Sequence, residues 1–131
     1  MSAVDDLLAA ARSGLERVDP EQAATLHADG VLFVDIRPIA DRAAEGEIPD
    51  SVPVERIHLE WRLDPAGEHR LPGITEDTPV VVVCNEGYAS SLAARDARLL
   101  GLRRATDLIG GYRAWKAAGL PVRAGGTPAV P

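Results

Sequence analysis

Pro79-Val80-Val81-Val82-Val83-Cys84-Asn85-Glu86-Gly87-Tyr88-Ala89-Ser90-Ser91 is the stretch on which the reading of this chain turns. Four consecutive β-branched valines favour extended backbone. They do not alternate with polar residues, so the strand they predict is covered on both faces, as in a parallel sheet between helical layers. That strand runs over 79–84, Asn85 to Ala89 make a tight loop, and a helix is predicted from Ser90 or Ser91 to Leu100. Gly101 suits the left-handed position that closes such a helix. Cys84 therefore lies where strand becomes loop.

Working outward, Val31-Leu32-Phe33-Val34-Asp35-Ile36 is a second apolar run of the same kind, closed by an acid. Upstream, Asp19-Pro20-Glu21-Gln22 carries a capping residue, a proline at the first helical position and a glutamine at the third, and predicts a helix ending near Asp29-Gly30. Val4, Leu7, Leu8, Ala11, Leu15 and Val18 fall on one helical face. They predict a helix from Ser2 to about Val18, with Glu16 to Val18 readable instead as an edge strand. Pro38 opens a short helix to about Glu45, and 52–55 read as a short strand. The segment 56–78 is irregular apart from a helical turn around His58 to Arg62. A short strand within 103–109, a break at Gly110-Gly111 and a helix from Tyr112 to Ala118 complete the alternation. Alternating strands and helices imply an α/β fold with a parallel sheet. In such sheets ligands bind at the carboxyl ends of the strands, where Cys84 sits.

Composition narrows the function. The 131 residues fit one domain, with 46% hydrophobic residues for its core. A net charge of −6 disfavours nucleic acid and anionic membrane surfaces as partners. One cysteine excludes an internal disulfide framework. The first residues lack the pattern of a signal peptide, and no apolar run approaches a membrane span, so a cytoplasmic location is expected. The three histidines show no metal-ligand spacing, and neither a metal nor a cofactor is expected. Residues 1–19 are read as an N-terminal helix or extension, 20–123 as the domain, and 124–131, rich in Gly, Pro and small residues, as a disordered tail.

A lone cysteine is ordinarily a small buried hydrophobe. Position favours chemistry here. A short loop curling over one atom turns successive backbone N–H groups inward, and the following helix adds its positive end. Both favour thiolate over thiol, and Gly87 supplies the backbone freedom for the curl. A thiolate is a nucleophile and a leaving group.

With these residues in view, the chain resembles the rhodanese family of sulfurtransferases. Cys84 to Ser91 resembles the family's active-site loop, commonly Cys-x-x-Gly-x-Arg-Ser. Leu32 to Arg37 resembles its Asp-Val-Arg strand. Gly46-Glu47-Ile48-Pro49-Asp50-Ser51-Val52 resembles its Gly-His-Ile-Pro-Gly-Ala motif. Gly110-Gly111-Tyr112-Arg113-Ala114-Trp115 with Gly119-Leu120-Pro121-Val122 resembles its C-terminal signature. The four occur in order over roughly Pro20 to Val122, which makes the set specific. The resemblance implies a five-stranded parallel sheet with helices on both faces, and transfer of a sulfane sulfur through a persulfide on Cys84. A second cysteine is lacking, so the acceptor is external: a small thiol or a partner protein, with a small sulfur donor upstream.

The sequence also departs from that pattern. Ala89 stands where many such loops carry Arg, Glu86 puts an acid in the loop, and Glu47 and Asp50 replace His and Gly. An acidic loop repels an anionic donor, so thiosulfate is expected to be a poor substrate. An exposed Glu86 turned to solvent has little such effect. The candidate site comprises Cys84 as nucleophile and Asn85, Glu86, Gly87, Tyr88, Ala89 and Ser90 as the substrate-binding loop. Asp35, Arg37 and Arg42 are supporting candidates. Arg42 and Arg56 could bring positive charge to the cleft, although solvated surface positions are the commoner fate. Trp115 is expected in the core, Tyr88 on a pocket wall, and His58, Glu60, Trp61 and Arg62 in ordinary packing or at the mouth of the site. Two other readings compete. A cysteine phosphatase needs Arg six positions after the cysteine to hold phosphate bidentately, and Ser90 stands there. A non-catalytic, protein-binding or redox-sensing module is the alternative from another class.

Overall fold

Val80 to Val83 alternate between two cores. Val80 and Val82 pack with Val34, Leu59, Leu63, Ala93, Ala94 and Ala97. Val81 and Val83 pack with Ala23, Phe33, Ile48, Tyr112 and Trp115 on the opposite face. The period of two along an extended chain is what divides them. All four valines are fully buried, as a strand covered on both sides requires.

The computed structural model describes residues 2–131; Met1, with which the predicted N-terminal extension begins, lies outside them. In chain order the elements are α1 (Ala3–Ser13), α2 (Pro20–Ala28), β1 (Leu32–Asp35), α3 (Ile39–Glu45), β2 (Val52–Pro53), a 3-10 turn (Arg56–His58), α4 (Leu59–Leu63), β3 (Val80–Val83), α5 (Ala89–Leu99), β4 (Ala105–Asp107) and α6 (Gly111–Ala117). The strands pair in the order β2-β1-β3-β4, all parallel, with Val34 opposite Val52 and Val82, and Val82 opposite Asp107. Helices α4 and α5 cover one face; α2 and α6 cover the other. This is the α/β architecture expected.

The sheet has four strands among the described residues, not five. Where a fifth would lie, Val18 makes a single parallel bridge to Leu108. Its N–H donates to the Asp107 carbonyl at 3.1 Å, and its carbonyl accepts from Ile109 N–H at 2.8 Å. One bridging residue is too little for a strand because Pro20 follows at once, lacking the N–H needed to extend the ladder. Helix α1 also stops at Ser13, earlier than the hydrophobic face suggested, with Gly14 as its C-cap. The predicted caps are present: Ser2 and Asp5 form a capping box, as do Asp19 and Gln22 ahead of Pro20.

Residues 124–131 also differ from the expected disorder. The segment lies along the body of the protein because a buried carboxylate holds it there. Glu47, fully buried, accepts from Arg42 Nη1 at 2.7 Å, Arg123 Nε at 3.0 Å, Thr127 Oγ1 at 2.7 Å and Thr127 N–H at 3.2 Å. Val130 N–H then donates to the Pro53 carbonyl at 2.9 Å, and its side chain packs on the core. Composition alone does not show an acid that lies 80 residues upstream in the chain.

Burial opposes the charge on Glu47, but the hydrogen bonds from Thr127, Arg42 and Arg123 outweigh it and hold its carboxyl below the ordinary carboxylate range. An acid with a depressed folded-state pKa adds stability that is present above its unfolded pKa and lost as pH falls through the folded one. Glu47→Gln is therefore expected to lower unfolding free energy at neutral pH by about 3 kcal/mol, because Arg42 is left buried without its partner. The gap from wild type should narrow on acidification below about pH 4.3. Urea unfolding of both proteins at neutral and acidic pH measures this.

Candidate active site

Cys84 follows the last residue of β3. Its neighbour across the sheet edge is Ile36, whose N–H donates to the Val83 carbonyl at 2.9 Å. Cys84 has apolar surroundings on one side, since it belongs to the same core cluster as Ile36, Ala93 and Ala94. Its other side is polar: Sγ accepts the N–H of Gly87 at 3.2 Å and of Ser90 at 3.3 Å. With 8% of the residue exposed, Cys84 is recessed beneath the loop. The cradle expected of the loop is thus made by two amides, one at its midpoint and one in the first turn of α5.

Close backbone packing makes the curl. Gly87 has φ +85°, and a Cβ on it would lie 2.7 Å from Gly110 N and 3.1 Å from the Leu108 carbonyl oxygen. Gly111, at φ +65°, leaves no room either: a Cβ would lie 2.5 Å from the Cys84 carbonyl oxygen. That approach lets Tyr112 N–H donate to the Cys84 carbonyl at 2.8 Å and Arg113 N–H to the Asn85 carbonyl at 3.1 Å. The start of α6 thereby carries the start of the loop.

Behind the loop sits Asp107, the last residue of β4 and fully buried. Its carboxylate accepts from Ser90 Oγ and Ser91 Oγ at 2.8 Å each, and from Arg17 Nε at 2.8 Å and Nη2 at 3.2 Å. Arg17 Nη2 also reaches the Gly87 carbonyl, as does Arg12 Nη2. Sequence reasoning missed Asp107, Arg12 and Arg17. An acid at the end of the apolar strand 105–107 was a signal of the kind used for Asp35. Nothing about Arg12 or Arg17 distinguishes them in the sequence from other arginines.

Asp35 and Arg37 form a pair with both side chains 1% exposed. Arg37 is bidentate on Asp35, donates to the Gly46 carbonyl at 2.8 Å, approaches Asn85 Oδ1 at 3.4 Å and lies 4.0 Å above the Tyr112 ring. It braces the loop through Asn85. Burial pushes the Tyr112 phenol upward, keeping it a neutral donor to the Glu45 carbonyl. Arg42 is neither a cleft cation nor a surface residue: it is 1% exposed and engaged by Glu47, the Arg37 carbonyl and the Thr127 carbonyl. Arg56 is partly exposed and paired with Glu60 and Asp96.

Glu86 is exposed and paired with Arg113 at 3.0 Å, the same guanidinium that binds Glu45. The acid in the loop is therefore offset by a neighbouring cation. Ala89 and Tyr88 are exposed at the head of α5, and Arg12 lies 5.6 Å from the Tyr88 ring. Beside Ile36 opens a groove of about 320 Å³ walled by Pro38, Ile39, Glu55, Arg56 and Ile57. His58, Trp61 and Arg62 line a separate groove with Ile57, His69 and Pro131. Trp115 is in the core, its Nε1 donating to the Pro121 carbonyl at 2.7 Å. Among the described residues no cluster of three or more His, Cys, Asp and Glu is arranged to hold a metal.

A parallel α/β sheet with a cysteine at one strand end, under a loop whose amides meet its sulfur, is the arrangement to be placed among known proteins. The Rhodanese-like domain family model matches residues 19–118, and the chain belongs to that family. It is 35% identical over 110 residues to a sulfurtransferase of Allochromatium vinosum, covering 82% of this chain and 94% of that protein. It is 31% identical over 102 residues to the thiosulfate sulfurtransferase GlpE of Pseudomonas savastanoi, covering 78% and 88%. Among solved structures, a Rhodopseudomonas palustris protein of unknown function, described as a possible tyrosine phosphatase, superposes with a TM-score of 0.84 at 33% identity, covering 94% and 96%. The human single-domain sulfurtransferase superposes with a TM-score of 0.66 at 27% identity, covering 77% and 95%.

Gly111→Ala is expected to cost about 2 kcal/mol or more in urea unfolding, because its Cβ meets backbone that cannot withdraw and its φ is positive. The same variant should lose the Tyr112 and Arg113 N–H bonds to the loop, visible as faster exchange of those two amides.

Proposed function

We propose that this protein is a sulfurtransferase that carries a sulfane sulfur as a persulfide on Cys84 and passes it to an acceptor outside the chain. The observation that carries the reading is the pair of N–H groups, from Gly87 and Ser90, directed at Sγ. They stabilise negative charge at that position, on the thiolate before transfer and on the bound sulfur after it. The sulfurtransferases among its relatives favour the same reading.

In the first step the Cys84 thiolate attacks the outer sulfur of a donor persulfide. The Sγ–S bond forms, the donor's S–S bond breaks, and the donor leaves as a thiolate. In the second, an acceptor thiolate attacks the outer sulfur of the Cys84 persulfide and the Cys84 thiolate departs. Each step exchanges one bond to sulfur for another, with no net oxidation. The apolar flank keeps water from the sulfur, and the amides hold the charge. A free thiol cycling in this way belongs in a reducing compartment, which we take to be the cytoplasm.

Thiosulfate is a poor match to the mouth of this site. A dianion needs a free cation, and the nearby arginines are engaged: Arg37 by Asp35, Arg42 by Glu47, Arg113 by Glu45 and Glu86. Ala89 supplies none. A persulfide or a protein-borne sulfur needs no second anion site. A phosphatase reading fails on the same ground, since the sixth position is Ser90 and its hydroxyl is turned to Asp107.

Intact mass after incubation with thiosulfate, a low-molecular-weight persulfide and cyanide-free controls tests the proposal. One added sulfur on wild type, absent from Cys84→Ser, is expected with the persulfide. No added sulfur from any donor would leave a non-catalytic module. Ala89→Arg is expected to raise kcat/KM for dianionic thiosulfate about tenfold by restoring a cation at the loop, with a smaller change for the persulfide, which carries less charge. Steady-state kinetics with both donors read the difference.

A further inference from the structure

The family match begins at residue 19, yet two side chains before it reach the loop that surrounds Cys84. Arg12, on the last turn of α1, makes three contacts there. Its Nη2 donates to the Gly87 carbonyl at 2.7 Å, its Nε donates to Ser91 Oγ at 3.0 Å, and its guanidinium lies 5.6 Å from the Tyr88 ring centre. Arg17, from the segment that bridges to β4, donates to the same Gly87 carbonyl at 3.0 Å and to both oxygens of Asp107. Gly87 and Ser90 are the residues whose N–H groups meet the sulfur.

The two guanidiniums thus converge on one carbonyl oxygen of the residue that donates to Sγ. Gly87, without a Cβ, has more backbone conformations open to it than any other residue type would have there. Two charge-assisted hydrogen bonds remove that freedom on the side away from the sulfur. Asp107 completes the ring. It holds Arg17 on one side and the Ser90 and Ser91 hydroxyls on the other, so that the first turn of α5 and the Gly87 peptide are referred to one buried carboxylate.

We infer that Arg12 and Arg17 are positioning residues for Cys84: the N-terminal segment is a clamp on the carbonyl of Gly87 that keeps the Gly87 and Ser90 amides directed at the sulfur. The inference rests on the reading of Cys84 as a sulfur carrier and names a part of the machinery that lies outside the matched family region. Helix α1 is itself held by Leu8 and Ala11, which are buried, so removing the Arg12 guanidinium leaves the helix its own attachment.

The test is the rate of Cys84 alkylation by iodoacetamide as a function of pH, in wild type, Arg12→Met and Arg12→Lys, with urea unfolding to show that each is folded. Methionine keeps the apolar stem and removes the guanidinium. Arg12→Met is expected to alkylate about tenfold more slowly on the acid limb, with the whole curve displaced to higher pH and the alkaline plateau unchanged. Arg12→Lys, which keeps the charge and one donor, should fall between. With a persulfide donor the same variants should lose kcat and keep KM. A structural role alone would lower the urea midpoint without displacing the alkylation curve. A wild-type alkylation curve in either folded variant overturns the inference, and Arg12→Lys carries the test should Arg12→Met not fold. Alkylation uses no sulfur donor, so the two readings fail separately. A wild type that takes up no sulfur while its variants show the displaced curve defeats sulfur transfer, and sulfur loading with undisplaced curves defeats the clamp.

Discussion

A sulfur atom at the end of a buried strand can hold negative charge only if donors are aimed at it, and here the donors are backbone amides of a loop with little packing of its own. Everything else around the site restrains that loop. From one side α6 comes close enough, at Gly111, to donate two amides to the carbonyls of Cys84 and Asn85. From below Arg37 reaches Asn85. From behind Arg12, Arg17 and Asp107 take the carbonyl and hydroxyl groups of Gly87, Ser90 and Ser91. The carbonyls of Cys84, Asn85 and Gly87 and the hydroxyls of Ser90 and Ser91 are satisfied by protein, while the Gly87 and Ser90 N–H groups go to the sulfur.

Two buried ion pairs and one half-buried pair stand at this edge of the sheet: Asp35 with Arg37, Glu47 with Arg42, and Asp107 with the partly exposed Arg17. Pairs of this kind add little net stability compared with apolar side chains of equal volume. Their value lies in direction. Each links a strand end or its following turn to another segment: Arg37 to the Gly46 carbonyl nine residues on, Glu47 to Thr127 and Arg123, and Asp107 to the segment before α2. A sheet of short strands is thereby closed at the end where Cys84 lies.

The surroundings of Cys84 also separate sulfur transfer from phosphate chemistry on one fold. A phosphate requires a planar cation in the loop; a persulfide requires only donors at one atom and an apolar wall. In this chain Arg12 and Arg17 are engaged from behind by the Gly87 carbonyl, Ser90 occupies the position of a phosphate-binding arginine, and Cys84 shares an apolar cluster with Ile36, Ala93 and Ala94.

Local sequence carries the strands and helices because their causes are local. Four consecutive valines favour extended backbone, Asp19-Pro20-Gln22 caps its helix within three residues, and Cys84 falls at the strand end by simple counting. The pattern of apolar runs was enough for the parallel sheet and for the position of Cys84 at a strand end. What lay beyond it depended on partners remote in the chain. Arg42 turned inward because Glu47 and Thr127 meet it there, and residues 124–131 are held by that same carboxylate. The fifth strand shrank to one bridge at Val18 beside Pro20. Arg12 and Arg17 came to Gly87 across 75 and 70 residues of sequence. Periodicity and capping report on neighbours within a few positions; the pairing of a charge is decided by whichever opposite charge the folded backbone brings within about 3 Å of it.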